Sequence, residues 1–288
     1  MKPKLRKQFI TVIKILVSIG LISLVFSQLD WKGIQQMLRT ANPFYFAVAV
    51  LFFLISQVIS IFRFNIFIRK IGVRLTFEAN SKLYLLGMFY NFFLPGGVGG
   101  DAYKAFALSK SHKKSLKKVG QVVFVERFLG IVAIGFMTCV LILFTKSQFS
   151  YYWNLGIGVA GFIATFIFLK LIIRFLETYK KRIYIGFFYS ILIQTAQLIC
   201  VFCLLKSFWI EDDYLIYLIL FLISSVLSVI SFAGLGIREA VFYYGAEWFQ
   251  FNPDASATVA LSFSLITAIV SFVGIIYLFQ TIPLKKNN

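Results

Sequence analysis

Histidine, cysteine and acid are scarce in this sequence, and each shortage closes off a kind of chemistry. One histidine and three cysteines stand among 288 residues. His112 lies in a lysine-rich stretch with no nucleophile or carboxylate cluster beside it, so histidine-based catalysis has no support. Cys139, Cys200 and Cys203 fall inside apolar runs. Cys200 and Cys203 have a CxxC spacing, but zinc needs further ligands and a redox pair needs a polar, accessible helix start. They read as small buried hydrophobes. Only 11 Asp and Glu oppose 29 Lys and Arg. Asp101, Glu126 and Glu239 are scattered, with no DxD-like pair, and Glu211–Asp213 run straight into an apolar stretch. A metal-assisted transferase lacks its usual grouping of carboxylates. No metal, cofactor or catalytic residue is expected.

What fills the sequence instead is apolar. Hydrophobic residues make up 60% of it and the mean hydropathy is +0.86. Runs such as Phe9–Leu29, Phe44–Ile68 and Trp153–Ile173 approach the roughly 20 residues a spanning helix needs. Backbone polar groups in lipid are satisfied only within helices or closed barrels. The expected fold is therefore all-α, a polytopic membrane helical bundle in a single domain, 1–288. Six full spans are expected: 9–29, 44–68, 119–144, 152–175, 183–205 and 256–281. The first run carries Lys14 inside it and ends in "VFSQLDW", the wrong chemistry for signal cleavage, so it reads as a retained helix.

The formal net charge of +18 is placed for topology and not for nucleic acid. It gathers in "KPKLRK", Arg69–Lys70–Arg74, Lys110 to Lys118 and Lys180–Lys181–Arg182. Such patches mark cytoplasmic loops that face anionic lipid. The N-terminus is then cytoplasmic, the loop at 30–43 outside, and both 69–82 and 104–118 inside. The apolar stretch Leu83–Leu94 lies between two cytoplasmic loops, and one crossing cannot begin and end on the same side. A re-entrant hairpin turning at "PGGVGG" resolves the conflict. Proline lacks an N–H and glycine tolerates sharp-turn angles. Such backbone survives at membrane depth only when buried in protein or lining a wet cavity.

A second break follows Tyr214–Phe232, in "SFAGLGIREAVFYYGAEWF". "GVGGDA" from Gly97 aligns with "GLGIREA" from Gly234. With a basic, cytoplasmic C-terminus the second hairpin opens outward, and the chain becomes an inverted repeat of halves 1–145 and 152–288. The competing topology makes 214–233 a full span and puts the C-terminus outside.

"FLPGGVGGDAYKA", "VERFLG" at Val125–Gly130 and "GLGIREA", in that order, resemble the lysylphosphatidylglycerol synthase/flippase transmembrane family over essentially the whole chain. In the family's two-part proteins this membrane region precedes a soluble aminoacyl-transferase domain and is associated with moving the modified lipid between leaflets. The chain ends at Asn288 just past its last apolar run, so the synthase domain is expected to be absent, and aminoacyl transfer with it.

The resemblance implies a translocator, which needs polar groups at depth, where ionisable residues are rare. Around the first break the candidates are Asn91, Pro95, Gly96, Gly97, Gly99, Gly100, Asp101 and Lys104. Glu126 and Arg127 follow in the next span. Around the second break stand Gly234, Gly236, Arg238 and Glu239. Turn amides and the helix start at Asp101 could receive a phosphate. The plainer readings make Asp101 a helix cap and pair Glu126 and Arg127 with Arg238 and Glu239 as a brace. Arg63 and Lys14 lie near helix ends where snorkelling suffices. Gln194 and Gln197 read as cavity residues or interhelical hydrogen bonds.

The expected partners are lipids with polar headgroups, with a homo-oligomer or a separate lipid-modifying enzyme left open. The expected place is a bacterial or archaeal cytoplasmic membrane. Two other functions stay open: a membrane-embedded transferase acting on phospholipid or polyprenyl-phosphate lipid, and a membrane scaffold.

Overall fold

The computed structural model of the chain describes residues 35, 39–93, 98–145, 151–228, 236–280 and 282–284. Among them there is no strand, and nine helices carry the architecture: α1 (Pro43–Ile68), α2 (Phe77–Phe93), α3 (Gly99–His112), α4 (Leu116–Phe144), α5 (Tyr151–Phe175), α6 (Lys180–Ser207), α7 (Tyr214–Leu227), α8 (Ile237–Phe249) and α9 (Pro253–Val273). A short 3-10 segment, Gly274–Leu278, prolongs α9. The expected span at 9–29 lies outside the described residues.

Five of these helices, α1, α4, α5, α6 and α9 with its extension, are long and apolar enough to cross a membrane. At about 1.5 Å per residue each exceeds the roughly 30 Å of a hydrocarbon core. They coincide with five of the six expected spans. The chain is an all-α polytopic membrane bundle. Its outer faces are apolar, as lipid requires: Ile163 and Phe166 of α5 are 56% and 61% exposed.

Local chemistry sets the ends. Asn42 caps α1, its Oδ1 accepting from Phe44 N at 3.0 Å with Pro43 in the first turn. Asn252 and Pro253 repeat the device at α9, and Asp213 caps α7 by accepting from Leu215 N at 2.9 Å. Side-chain acceptors at these positions satisfy amides that no helical carbonyl reaches.

The short helices form two hairpins. α2 and α3 are 17 and 14 residues long and run antiparallel, with Tyr90 against Tyr103 at 4.9 Å between ring centroids. Their closest approach is backbone to backbone. A Cβ on Gly100 would fall on the Gly87 carbonyl, with the Gly87 Cα only 2.8 Å away, so glycine is required there. α7 and α8 are 14 and 13 residues long and pair the same way, with the Tyr217 ring against Phe242.

The two hairpins are seated on opposite partners. α4 packs on α7 of the second hairpin, while α9 packs on α2 of the first, where Gly274 fits against Leu85. At the centre α1 and α6 lie antiparallel along their length. Asn42 N donates to Ser207 O at 2.8 Å at one end, and Phe67 packs on Gly186 near the other. That register sets Gln57 opposite Gln194.

Candidate functional site

Between the central helix pair and the two hairpins lies a cavity of about 630 Å³. Its wall is mixed: Phe53, Phe128, Ile131, Ile193 and Phe263 give it an apolar surface into which a set of polar side chains projects. α1 contributes Gln57, Ser60 and Arg63, and α6 contributes Gln194 and Gln197. Arg127 enters from α4, and Arg238 from the start of α8. Three guanidinium groups therefore border one space among membrane helices.

Asp101 occupies the third position of α3 and is 7% exposed. Its carboxylate accepts from Arg127 Nε on one oxygen and from Lys104 Nζ, at 3.4 Å, on the other. Val98, not Asp101, is the cap of α3, so the capping reading gives way to an ion-pair cluster. Lys104 is buried beneath the Gly87–Gly100 crossing, with its ammonium 4.3 Å from the Tyr84 ring centroid. Asn91 Oδ1 accepts from Gly100 N at 2.8 Å, tying the end of α2 to the start of α3.

Glu126 takes a partner the sequence did not suggest. Its Oε1 accepts from Arg63 Nη2 at 3.3 Å, while Arg63 Nη1 donates to Ser190 Oγ at 2.7 Å. The expected pairing of Glu126 and Arg127 with Arg238 and Glu239 is replaced by Arg63–Glu126 and Asp101–Arg127. Adjacent residues on a helix face different ways, and each acid or base met the charge on its own side. Arg63 does not snorkel; its side chain is 12% exposed and joins α1, α4 and α6.

The second break is arranged differently. Gly236 has φ +84°, a conformation that suits glycine, and its N–H donates to Glu239 Oε2 at 2.7 Å. Glu239 is thus a helix-start residue. Arg238 is 8% exposed, donates from Nη1 to Ser264 Oγ at 3.2 Å, and lies 4.7 Å from the Phe263 ring centroid. Its Nε is buried with no hydrogen-bond partner among the described residues. Asp101, Lys104, Glu126 and Arg127 come together on one side of the cavity, and Arg238 lines the same cavity from the other hairpin. Gly99 heads α3. Pro95, Gly96, Gly97 and Gly234 lie outside the described residues.

The sequence reading passed over Gln57, Ser60, Tyr84, Ser190 and Ser264 and misjudged Arg63. A signal was available. Ser56, Gln57, Ser60 and Arg63 recur at helical spacing within an otherwise apolar run, which makes a polar stripe down one face.

A family model described as "Lysylphosphatidylglycerol synthase TM region" matches residues 11–277, a range that holds every residue of this site. The chain belongs to that family. Within the lysylphosphatidylglycerol synthase TM region family, a curated relative, the UPF0104 membrane protein PH1989 of Pyrococcus horikoshii, is 26% identical over 160 residues. That alignment covers 54% of this chain and 48% of the relative, so it spans about half the length of each.

Proposed function

We propose that this protein is a flippase-like lipid translocator. It carries a polar headgroup, anionic or aminoacylated, on a phospholipid or a polyprenyl-phosphate-linked lipid, between the leaflets of a bacterial or archaeal cytoplasmic membrane. The observation that supports this reading is the cavity. Three arginines and three glutamines, among a largely apolar lining, face one space of about 630 Å³ inside a bundle of apolar helices. A charged side chain at mid-membrane costs at least about 2.5 kcal/mol, so such a lining is kept where a polar group must be received. A pocket of this size suits a headgroup with a few convergent polar contacts, while acyl chains stay in lipid.

The transferase alternative needs a carboxylate free to hold metal or take a proton. Among the described residues Asp101 and Glu126 are each engaged by cations, and Glu239 accepts from the Gly236 amide at the start of α8.

In this reading the α2–α3 hairpin is re-entrant and opens to the cytoplasm, the α7–α8 hairpin opens to the other side, and the basic loops rest on anionic lipid. Single cysteines at exposed positions 74 and 113, in a background without Cys139, Cys200 and Cys203, test the first hairpin. Both should react with an impermeant maleimide from the cytoplasmic side only. Labelling from opposite sides would make α2 and α3 an ordinary crossing.

The function itself is tested by reconstituting the full chain in vesicles and reading leaflet-specific accessibility of labelled anionic, aminoacylated and polyprenyl-phosphate lipids. At least one should equilibrate across the bilayer faster than in protein-free vesicles. Equal rates for the whole panel would sink the reading.

A further inference from the structure

The two halves of the chain share one register at several helix ends and turns. α1 begins at Pro43 and α6 at Lys180; α2 begins at Phe77 and α7 at Tyr214; α4 begins at Leu116 and α9 at Pro253. Each pair is offset by 137 residues, and so are the ends of α3 and α8, His112 and Phe249. The left-handed backbone positions follow the same offset. Gly72 and Trp209 have φ +76° and +58°, and Lys113 and Gln250 have φ +51° and +61°. Turn hydrogen bonds repeat with them: Val73 N to Ile68 O at 3.1 Å matches Ile210 N to Leu205 O at 3.0 Å. Lys114 N to Ser109 O likewise matches Phe251 N to Ala246 O. An αL conformation costs a non-glycine residue energy, so its recurrence at matched positions is a demanding coincidence.

The offset carries through the site. Asp101 maps onto Arg238 and Arg127 onto Ser264, and each pair is joined by a hydrogen bond across a separation of 26 residues. Gln57 maps onto Gln194 and Ser60 onto Gln197, and all four line the cavity. The equivalent helices α1 and α6 lie antiparallel with Gln57 opposite Gln194, and α4 seats on α7 as α9 seats on α2. Both features fit a two-fold axis crossing the central pair.

Charge breaks the symmetry. The first unit sets Arg63, Lys104 and Arg127 against Asp101 and Glu126. At the matching positions the second unit has Cys200, Val241, Ser264, Arg238 and Phe263. One cation remains and no carboxylate. Among the described residues no acid stands within ion-pair distance of Arg238; the neighbouring Glu239 points back to Gly236. Phe263 and Ser264 fix the guanidinium from one side, and its buried Nε, like that of Arg63, has no acceptor among the described residues.

We infer that the chain is an inverted tandem of two equivalent units, and that Arg238 is an oxyanion seat, filled by a phosphate-type group of the ligand where the first unit uses the Asp101 carboxylate. This rests on the lipid-headgroup reading of the same cavity and narrows it. A fork of guanidinium donors matches phosphate oxygens, and the contact is stronger away from water. The cluster of five charges in the first unit carries a net +1, which adds to the pull of Arg238 on an anion and is set against the neighbouring Glu239, held on the Gly236 amide.

The deciding variant is Ser264→Asp, which gives the second unit the internal carboxylate it lacks. The full chain in a neutral detergent is titrated with dihexanoyl phosphatidic acid, dihexanoyl phosphatidylcholine and inorganic phosphate. Phosphatidic acid should bind the wild type. Ser264→Asp and Arg238→Gln should each weaken it by at least about tenfold, a typical worth of one charge-assisted contact. Ser264→Asn, similar in size to aspartate but uncharged, should weaken it by clearly less than Ser264→Asp does. Ser264→Asp should also unfold no more easily than Ser264→Asn, because the new carboxylate meets a waiting guanidinium. Wild-type affinity in Ser264→Asp, or no binding of phosphatidic acid or inorganic phosphate by the wild type, overturns the seat. If inorganic phosphate binds with this Arg238 dependence while no labelled lipid crosses the vesicle bilayer, the seat stands and the translocator reading falls. If lipid crosses equally fast in wild type, Arg238→Gln and Ser264→Asp, the translocator stands and the seat falls.

Discussion

Replacing Gly100 with alanine should collapse the α2–α3 hairpin. The added methyl carbon falls on the Gly87 carbonyl, and the obstacle is backbone, not the far end of a side chain that can swing away. Overpacking a core costs about 1–3 kcal/mol when side chains can adjust; with two helix backbones in contact the loss should reach about 3 kcal/mol or more. The α3 start would be pushed off Asn91, and Asp101 would be carried away from Arg127. The expected result is a large drop in the midpoint of detergent-induced unfolding together with loss of lipid translocation. Gly156→Ala is the matched control. Nothing lies within 4 Å of a Cβ there, so stability should change by less than about 1 kcal/mol. Gly161 is no such control, because a Cβ at that position meets Cys139. A Gly100→Ala protein as stable as Gly156→Ala would mean that the hairpin is not crossed as described.

The second large effect concerns Arg63 and Glu126. Glu126 is buried and the Arg63 side chain is 12% exposed, and each is the other's ion-pair partner. Glu126→Met leaves a largely buried guanidinium with Ser190 as its hydrogen-bond partner among the described residues, and Arg63→Met strands a carboxylate. Either single change should cost about 3–5 kcal/mol, whereas replacing both by methionine should cost less than either alone. The charge swap Arg63→Glu with Glu126→Arg should recover part of the loss. Pairing Glu126→Arg with Arg238→Glu should recover none of it. Recovery by that second pair, with none by the first, would reassign the partner of Glu126.

Much of the scaffold could be read without coordinates because lipid imposes a simple rule. Long apolar runs become helices, and the spans at 44–68, 119–144, 152–175, 183–205 and 256–281 coincide with α1, α4, α5, α6 and α9. The two interruptions were equally legible, since proline, glycine and charge cannot continue a lipid-facing helix. The pairing of charges was not. Glu126 and Arg127 are adjacent in sequence but address different neighbours, and which neighbour depends on helix rotation that composition does not encode. Arg63 was hidden for another reason. A basic residue near the end of an apolar run has an inexpensive way out by snorkelling, and only its contact with Ser190 and Glu126 distinguishes it from an ordinary anchor. The alignment of Gly97 with Gly234 already held the 137-residue offset, yet its reach into the glutamines and the turns depended on backbone angles and hydrogen bonds.

The most direct test of the account is to fill the cavity and watch the lipid. Gln194→Trp places a large ring in the cavity bordered by α1 and α6. Vesicles containing the full chain and a lipid labelled on its headgroup with a reducible fluorophore are treated with impermeant dithionite. With the wild type, the account predicts that label from both leaflets becomes reducible within the assay. With Gln194→Trp, at an unchanged unfolding midpoint, it predicts that only the outer-leaflet fraction is lost, as in protein-free vesicles. A folded Gln194→Trp protein that still exposes both leaflets at the wild-type rate would contradict it, because the headgroup would then cross by a route other than this cavity.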